Sequence, residues 1–416
     1  MRAILEDLPG ALMPDLRKES EDPGVKVEVV DDDLIRPTVE DELPQHASRG
    51  RKSPLSRHTV HTIGPLDRCL PLPIGLRLSL EGSRVTDATV DMGFTHQALE
   101  RRAQGRAIDV GLFALVARAE PGLLSALAVA CALERLGRDS GLPSAATTAQ
   151  RRIGLDLLTI VENAHVLSAP ALGFVNAQRG FRQLAQTANR RAIALLEGLC
   201  ADDVFYAPFA LRRPLAKEER HMLLRLLNDV EEPLLRMDPV RSFSWLQGVG
   251  VLDTSTARLL GVDGPALRAS GGLDDTPGID LEAAAPETLD AESSQHPNIF
   301  QGCALSRLRV RHADALAAAA RLRPRLQSQA EDDDDTVHSP RVGTVGDGIG
   351  TAQVRGPSGT TAALVAVVDQ RVQRLRLRPP DLALIAAVPR ALVGVTLDDV
   401  AAVVASFGIR CSAVDR

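Results

Sequence analysis

The sequence predicts an α+β protein, a central bundle of long helices flanked by small antiparallel β-sheets. Three observations lead there. Apolar residues recur at three- and four-residue steps over several long stretches, the period of a helix with one buried face. Two separate segments, about 74–92 and 360–378, alternate apolar and polar residues around tight turns, as half-buried hairpins do. The 416-residue chain is 44% hydrophobic yet only 3% aromatic, so its core must be assembled from Leu, Ala and Val.

Residues 1–58 carry prolines, the acids Asp31-Asp32-Asp33 and a polar run over 46–58. With little periodicity they are expected to form a disordered or loosely attached arm. Leu76, Leu78 and Leu80 then alternate with polar residues, Glu81-Gly82-Ser83 supplies a turn, and 85–92 runs back. Helices follow over about 95–137, of which 126–136 is the small-residue, wholly buried type ending near Gly137. Over 149–167 Ile153, Leu157, Ile160, Val161 and Ala164 define a helix face that Pro170 terminates. Further helices fit 176–199 (Phe181, Leu184, Ala188, Ile193, Leu196) and 216–236 (Met222, Leu223, Leu226, Leu227, Val230), which together suggest a bundle. Gly248-Val249-Gly250, a loop over 264–272 and a Pro/Asp-rich stretch lead to an Ala-rich helix at about 307–326.

An acidic and glycine-rich linker is expected at 327–350, with Glu331-Asp332-Asp333-Asp334-Asp335 as a solvated run. Its Gly346-Asp347-Gly348-Ile349-Gly350 lacks the spacing and the strand-before, helix-after setting of a nucleotide loop, and reads as flexible linker. The second hairpin turns at Asp369-Gln370 and ends at Pro379-Pro380. Thr396-Leu397-Asp398-Asp399 has the form of a helix start, with the last helix reaching about 406. The expected organisation is one core built from 59–326 and completed by 351–416.

Composition excludes several functions. Fifty-four acids against 48 bases leave a formal net charge of -6, and no basic block stands free of acids, so nucleic acid is not an expected partner. Cys69, Cys131, Cys200, Cys303 and Cys411 include no C-x-x-C pair, which favours a reduced cytoplasmic setting and argues against zinc or iron–sulfur binding by this chain alone. Arg118, Glu120 and Arg390 interrupt the most apolar runs, so no direct membrane span of about 18 residues is expected. No signal pattern opens the chain. No G-x-S-x-G elbow or H-E-x-x-H occurs, and a hydrolase has no support.

After the first hairpin comes Gly93-Phe94-Thr95-His96-Gln97-Ala98-Leu99-Glu100-Arg101. This resembles G-Y-x-H-R-G-x-E-K, the entry to a large-subunit superfamily shared by nickel–iron hydrogenases and NADH:quinone oxidoreductase (respiratory complex I). Gly93, His96 and Glu100 match, while Gln97 and Ala98 depart. The likeness continues in order, and it follows the complex I member of the superfamily. Residues 157–167, L-L-T-I-V-E-N-A-H-V-L, resemble E-L-x-R-I-x-S-H-L and put His165 on the family's His. Residues 207–213 are similar to G-G-V-R-R-D. Gly264, Pro265, Leu267, Arg268, Ser270 and Gly271 follow T-G-P-x-L-R-A-S-G. Arg307, Val310 and Arg311 follow G-D-x-Y-x-R-x-x-V-R. Pro357 and Gly359 keep part of V-E-A-P-R-G, and the final D-D-V-A-A-V-V-A-S-F-G-I-R-C-S-A-V-D-R resembles the terminus of the complex I protein.

The resemblance implies the hydrogenase-like large component of a complex I-related NADH:quinone oxidoreductase, an electron-transport assembly peripheral on the cytoplasmic face of the membrane. Its implied partners are an iron–sulfur small subunit, which holds the cluster, and membrane subunits. The chain itself is expected to bind no cofactor, with quinone as the group a neighbouring cavity would accept. His165 would face the partner's cluster, with Arg118 also facing that cavity or cluster. His96 would pair with Glu100 at i, i+4, and Arg268 is the strongest single candidate, with the alternative of satisfying loop carbonyls. The family's G-P-x-H-P-x-x-H-G becomes Gly64-Pro65-Leu66-Asp67-Arg68-Cys69-Leu70-Pro71, and its quinone-facing Tyr falls at Ala119, so the usual proton donors to quinone are missing. A second expectation is therefore a scaffold that keeps the shape without electron transfer.

A nickel–iron centre requires four thiolates. Aligned on Glu134-Arg135-Leu136 and Asp415-Arg416, the four positions are Arg118, Pro121, Arg410 and Ala413, with Cys411 one place off. Hydrogenase activity is excluded on that ground. The purified chain is expected to contain no stoichiometric nickel or iron, and elemental analysis is the measurement that checks it.

Overall fold

The computed structural model describes residues 58–65, 70, 74–92, 98–117, 122–136, 145–169, 205–206, 210–211, 217–273, 281–282, 301–328 and 345–410, with a few isolated positions in 183–190. The first sheet has three antiparallel strands, β1 (His58–Ile63), β2 (Gly75–Glu81) and β3 (Arg84–Asp91), in the order β1-β2-β3. The hairpin β2-β3 is as the alternation predicts. Strand β1 is an addition to the expected elements, because its residues Thr59, Val60, His61 and Thr62 are all exposed and so mark no apolar face.

Three short helices follow, α1 (Leu99–Ala103), α2 (Val110–Ala117) and α3 (Gly122–Glu134), and then the long α4 (Ala145–Leu167). Strands β4 (Phe205–Tyr206) and β5 (Ala210–Leu211) pair as a small ribbon. The helix expected at 176–199 lies outside the described residues. Next come α5 (Lys217–Leu235), α6 (Pro239–Ser242), α7 (Thr254–Leu259) and α8 (Gly264–Ala269). Strand β6 (Leu281–Glu282) and the second long helix, α9 (Ala304–Ser328), complete this half.

The second sheet orders as β6-β7-β8-β9, with β7 (Gly348–Gly356), β8 (Gly359–Val368) and β9 (Arg371–Arg378). It is mixed rather than purely antiparallel, since β6 runs parallel to β7. The expected linker is corrected at its end: Gly348, Ile349 and Gly350 are the first residues of β7. The glycines are there because the strand lies on α3, and a Cβ on Gly350 would come 2.0 Å from the Ala132 carbonyl oxygen. Helices α10 (Asp381–Leu392) and α11 (Val400–Phe407) close the described chain.

Helix α4 divides the core. Ile153, Leu157, Ile160 and Ala164 belong to a cluster with the first sheet, α5, α9, α10 and α11. Leu155 and Leu158, on the other side, join α1–α3 and the second sheet. A helix that serves two cores is buried nearly all round, so its polar residues need partners inside the protein. Arg151 pairs with Glu134 of α3, and Asp156, fully buried, receives Arg321 and Arg325 of α9.

Gly302 shows how tightly the loop before α9 is set. Its N–H donates to Ala269 O at 2.8 Å, its carbonyl accepts from Leu252 N at 3.0 Å, and its φ is +67°. A Cβ there would stand 2.0 Å from the Leu252 oxygen. Gly302→Ala is therefore expected to lose more than about 2 kcal/mol, the left-handed backbone penalty and the clash acting together. Denaturant unfolding followed by circular dichroism checks this.

Candidate functional site

The motif segments singled out in the sequence converge at the ends of α4 and α9 beside the β7–β8 turn. The loop opening α8 closes on that turn: a Cβ on Gly264 would lie 2.8 Å from the Gly359 Cα, and Asp263 Oδ2 accepts from Thr360 N at 2.8 Å. Arg268 of α8 forms a two-pronged pair with Asp314 of α9, at 2.9 and 2.6 Å. Its carboxylate partner is 6% exposed. Arg268 thus meets a side-chain acid where loop carbonyls were the expected alternative, and the pair locks the loop onto α9.

One and two turns earlier on α9 are Arg311 and Arg307, both 1% exposed. Arg307 donates to Gly302 O at 2.7 Å, Gly250 O at 3.0 Å and Ser406 Oγ at 2.9 Å, and lies over the Phe407 ring at 4.0 Å. Arg311 donates to Asn163 Oδ1 at 3.0 Å and to the Phe407 carbonyl. Burial pushes these guanidiniums down, Arg307 to about 9 and Arg311 to about 10, so both remain cations at neutral pH.

The negative side of the cluster comes from two acids outside the expected set. Glu162 of α4 is 1% exposed; its carboxylate is 3.9 Å from Arg410 Nε and accepts from Ser358 Oγ at 3.5 Å. Asp381, first residue of α10 and also 1% exposed, accepts from Arg410 N at 2.7 Å through Oδ1. Its Oδ2 and the Asn163 amide nitrogen have no hydrogen-bond partner among the described residues. A signal for both acids is present in the sequence: each interrupts an otherwise apolar helical stretch, I-V-E-N-A-H-V and P-P-D-L-A-L-I-A. Burial pushes the Asp381 carboxyl up to about 7, against the Arg410 N–H that stabilises the anion, and Glu162 raises it further.

Other candidates lie elsewhere. His165 is exposed near the end of α4, where its carbonyl accepts from Ser168 Oγ at 2.8 Å. Glu100 is held by β9, accepting from Arg376 at 2.6 Å and Leu377 N at 2.9 Å. His96 and Arg118 fall outside the described residues, as do Pro121 and Ala413. Arg410, at a position where the resemblance would put a thiolate, reaches Glu162 instead. What the cluster can do chemically is hold one exchangeable proton on a buried acid between fixed cations.

The fold has a solved counterpart. A chain of the membrane-bound sulfane sulfur reductase, an archaeal respiratory membrane complex, superposes with a TM-score of 0.70. The alignment covers 88% of this chain and 100% of that one at 22% identity. The two share a fold. No protein-family model matches the chain, and no curated protein matches it. No helix among the described residues is long and apolar enough to cross a membrane.

The Asp381 environment has a pH consequence. A carboxyl raised from 3.8 to about 7 on folding adds stability that is complete below about pH 4 and is lost as pH rises through about 7, because the unfolded chain ionises first. Asp381→Asn is expected to flatten that part of the stability profile. Urea midpoints measured between pH 4 and 8 for both proteins test it, and parallel profiles would contradict the assignment.

Proposed function

We propose that this chain is the hydrogenase-like large component of a complex I-related respiratory complex. It works with an iron–sulfur small subunit and membrane subunits, and is peripheral to the membrane through them. The observation that carries the reading is convergence: the segments over 157–167, 264–271, 307–311 and 354–359, matched separately to the superfamily, meet around Glu162, Arg311 and Arg410. The shared fold with a chain of a respiratory membrane complex supports it.

The chemistry assigned to the chain is positioning and proton handling. The iron–sulfur cluster belongs to the small subunit. Quinone is retained as acceptor on the resemblance alone, and the residues here do not favour it: Glu162, Ser358, Asp381 and Arg410 are turned onto one another, and the His and Tyr donors are absent from the sequence. The structural counterpart works in a complex named for sulfane sulfur reduction, so an acceptor other than quinone suits this architecture. A non-catalytic scaffold is the second reading, favoured by the extent to which Arg268, Arg307 and Arg311 are engaged in holding the fold together.

His165 separates the two. In the electron-transfer reading an exposed imidazole at the end of α4 faces the partner's cluster and shares its electrostatics. His165→Ala should then change the pH dependence of the cluster's reduction potential in the co-purified complex without impairing assembly. Redox titration at several pH values is the measurement; superimposable curves, or a complex lacking a cluster, would leave the scaffold as the better reading.

A further inference from the structure

The second sheet has two unlike faces. Toward α3 it buries Ala352, Val354, Ala363, Val365 and Leu375. On the other face the strand register lines up three rows: Ile349, Ala366 and Arg374; Thr351, Leu364 and Arg376; Gln353, Ala362 and Arg378. The middle strand's Ala362, Leu364 and Ala366 are half-buried, and the three arginines are exposed. A cleft of about 520 Å³ lies on this face, with Arg376 and Arg378 on the β9 side, Arg135 on the β7 side, and Thr351, Ala362 and Leu364 as its floor.

The charge of this face opposes that of the chain. Four arginines, Arg135, Arg374, Arg376 and Arg378, stand around it in a protein of formal net charge -6. The carboxylate lining the cleft, Glu100, is already held by Arg376 and Leu377 N. Three like charges at alternate positions of one strand repel and contribute nothing to folding. Along a strand, i and i+2 are about 6.8 Å apart, the spacing of alternate residues in any extended chain, so successive arginines can meet successive acids. The small side chains of the floor let a second backbone come close, and the arginine forks bind carboxylates in two-pronged geometry.

We propose that this sheet face is the docking surface for an acidic segment of another subunit of the complex. The inference rests on the complex membership argued above and names the chemistry of one contact within it: acids paired with Arg374 and Arg378, apolar side chains on the Ala362–Leu364 floor. Attachment of this kind weakens with salt.

Arginine footprinting with phenylglyoxal, read by mass spectrometry, tests it on the purified complex and on the separately expressed chain. Arg374 and Arg378 are expected to react about tenfold more slowly in the complex, the shielding of a closed contact. Equal rates in the two samples overturn the proposal. Slow reaction in both samples also overturns it, because the cover then comes from this chain itself, its acidic run at 331–335 included. Arg374→Glu combined with Arg378→Glu should release one partner chain in native mass spectrometry while leaving the unfolding midpoint of the isolated protein unchanged, and the Lys versions should retain it. A complex that keeps every component with both charges reversed refutes the docking surface alone. A chain that purifies with no partner at all refutes the complex reading as well.

Discussion

Burying two guanidiniums on one helix is the constraint around which the rest of this molecule is assembled. Arg307 and Arg311 of α9 are cations with almost no access to water, and their donors must find acceptors inside the protein. The acceptors they use come from four separate places: the carbonyls of Gly250 and Gly302, Ser406 and Phe407 of α11, and Asn163 of α4. Each bond draws a loop or helix end inward. Gly408 marks how closely, since a Cβ there would be 2.5 Å from the Arg311 guanidinium carbon.

The same demand shapes the polar cluster. Cations fixed at this depth make nearby acids tolerable, and Glu162 and Asp381 occupy that field together with Arg410. The groups are not equivalent. Glu162 faces a guanidinium and a hydroxyl, whereas Asp381 has the Arg410 N–H on one oxygen and, among the described residues, no partner on the other. A superfamily that elsewhere holds a metal at this point has here a charge network. Proton storage is chemistry such a network can perform, and thiolate coordination is not.

Much of the fold was legible because periodicity is a local property. The hairpin β2-β3, the face of α4 through Ile153, Leu157 and Ile160, and the face of α5 through Leu223, Leu227 and Val230 all follow from residue spacing. Elements without an apolar face of their own were not legible. Strand β1 carries exposed residues along most of its length, β6 is two residues long, and the glycines opening β7 read as linker because their reason is the Ala132 carbonyl of another helix. Arg268 was marked as important from its motif, yet its partner Asp314, 46 positions away, is an unremarked acid in an Ala-rich helix.

By itself the sequence determined the class of fold, the apolar faces, the cysteines without paired spacing, and the absence of Cys at the four ligand positions, all of which depend on residue type and short-range order. Only the tertiary structure decided that Glu162, Ser358, Asp381 and Arg410 share one buried site, and that Arg374, Arg376 and Arg378 stand on the sheet face away from α3. Charges interact through distance and through the water excluded around them, and neither quantity exists until the chain has folded.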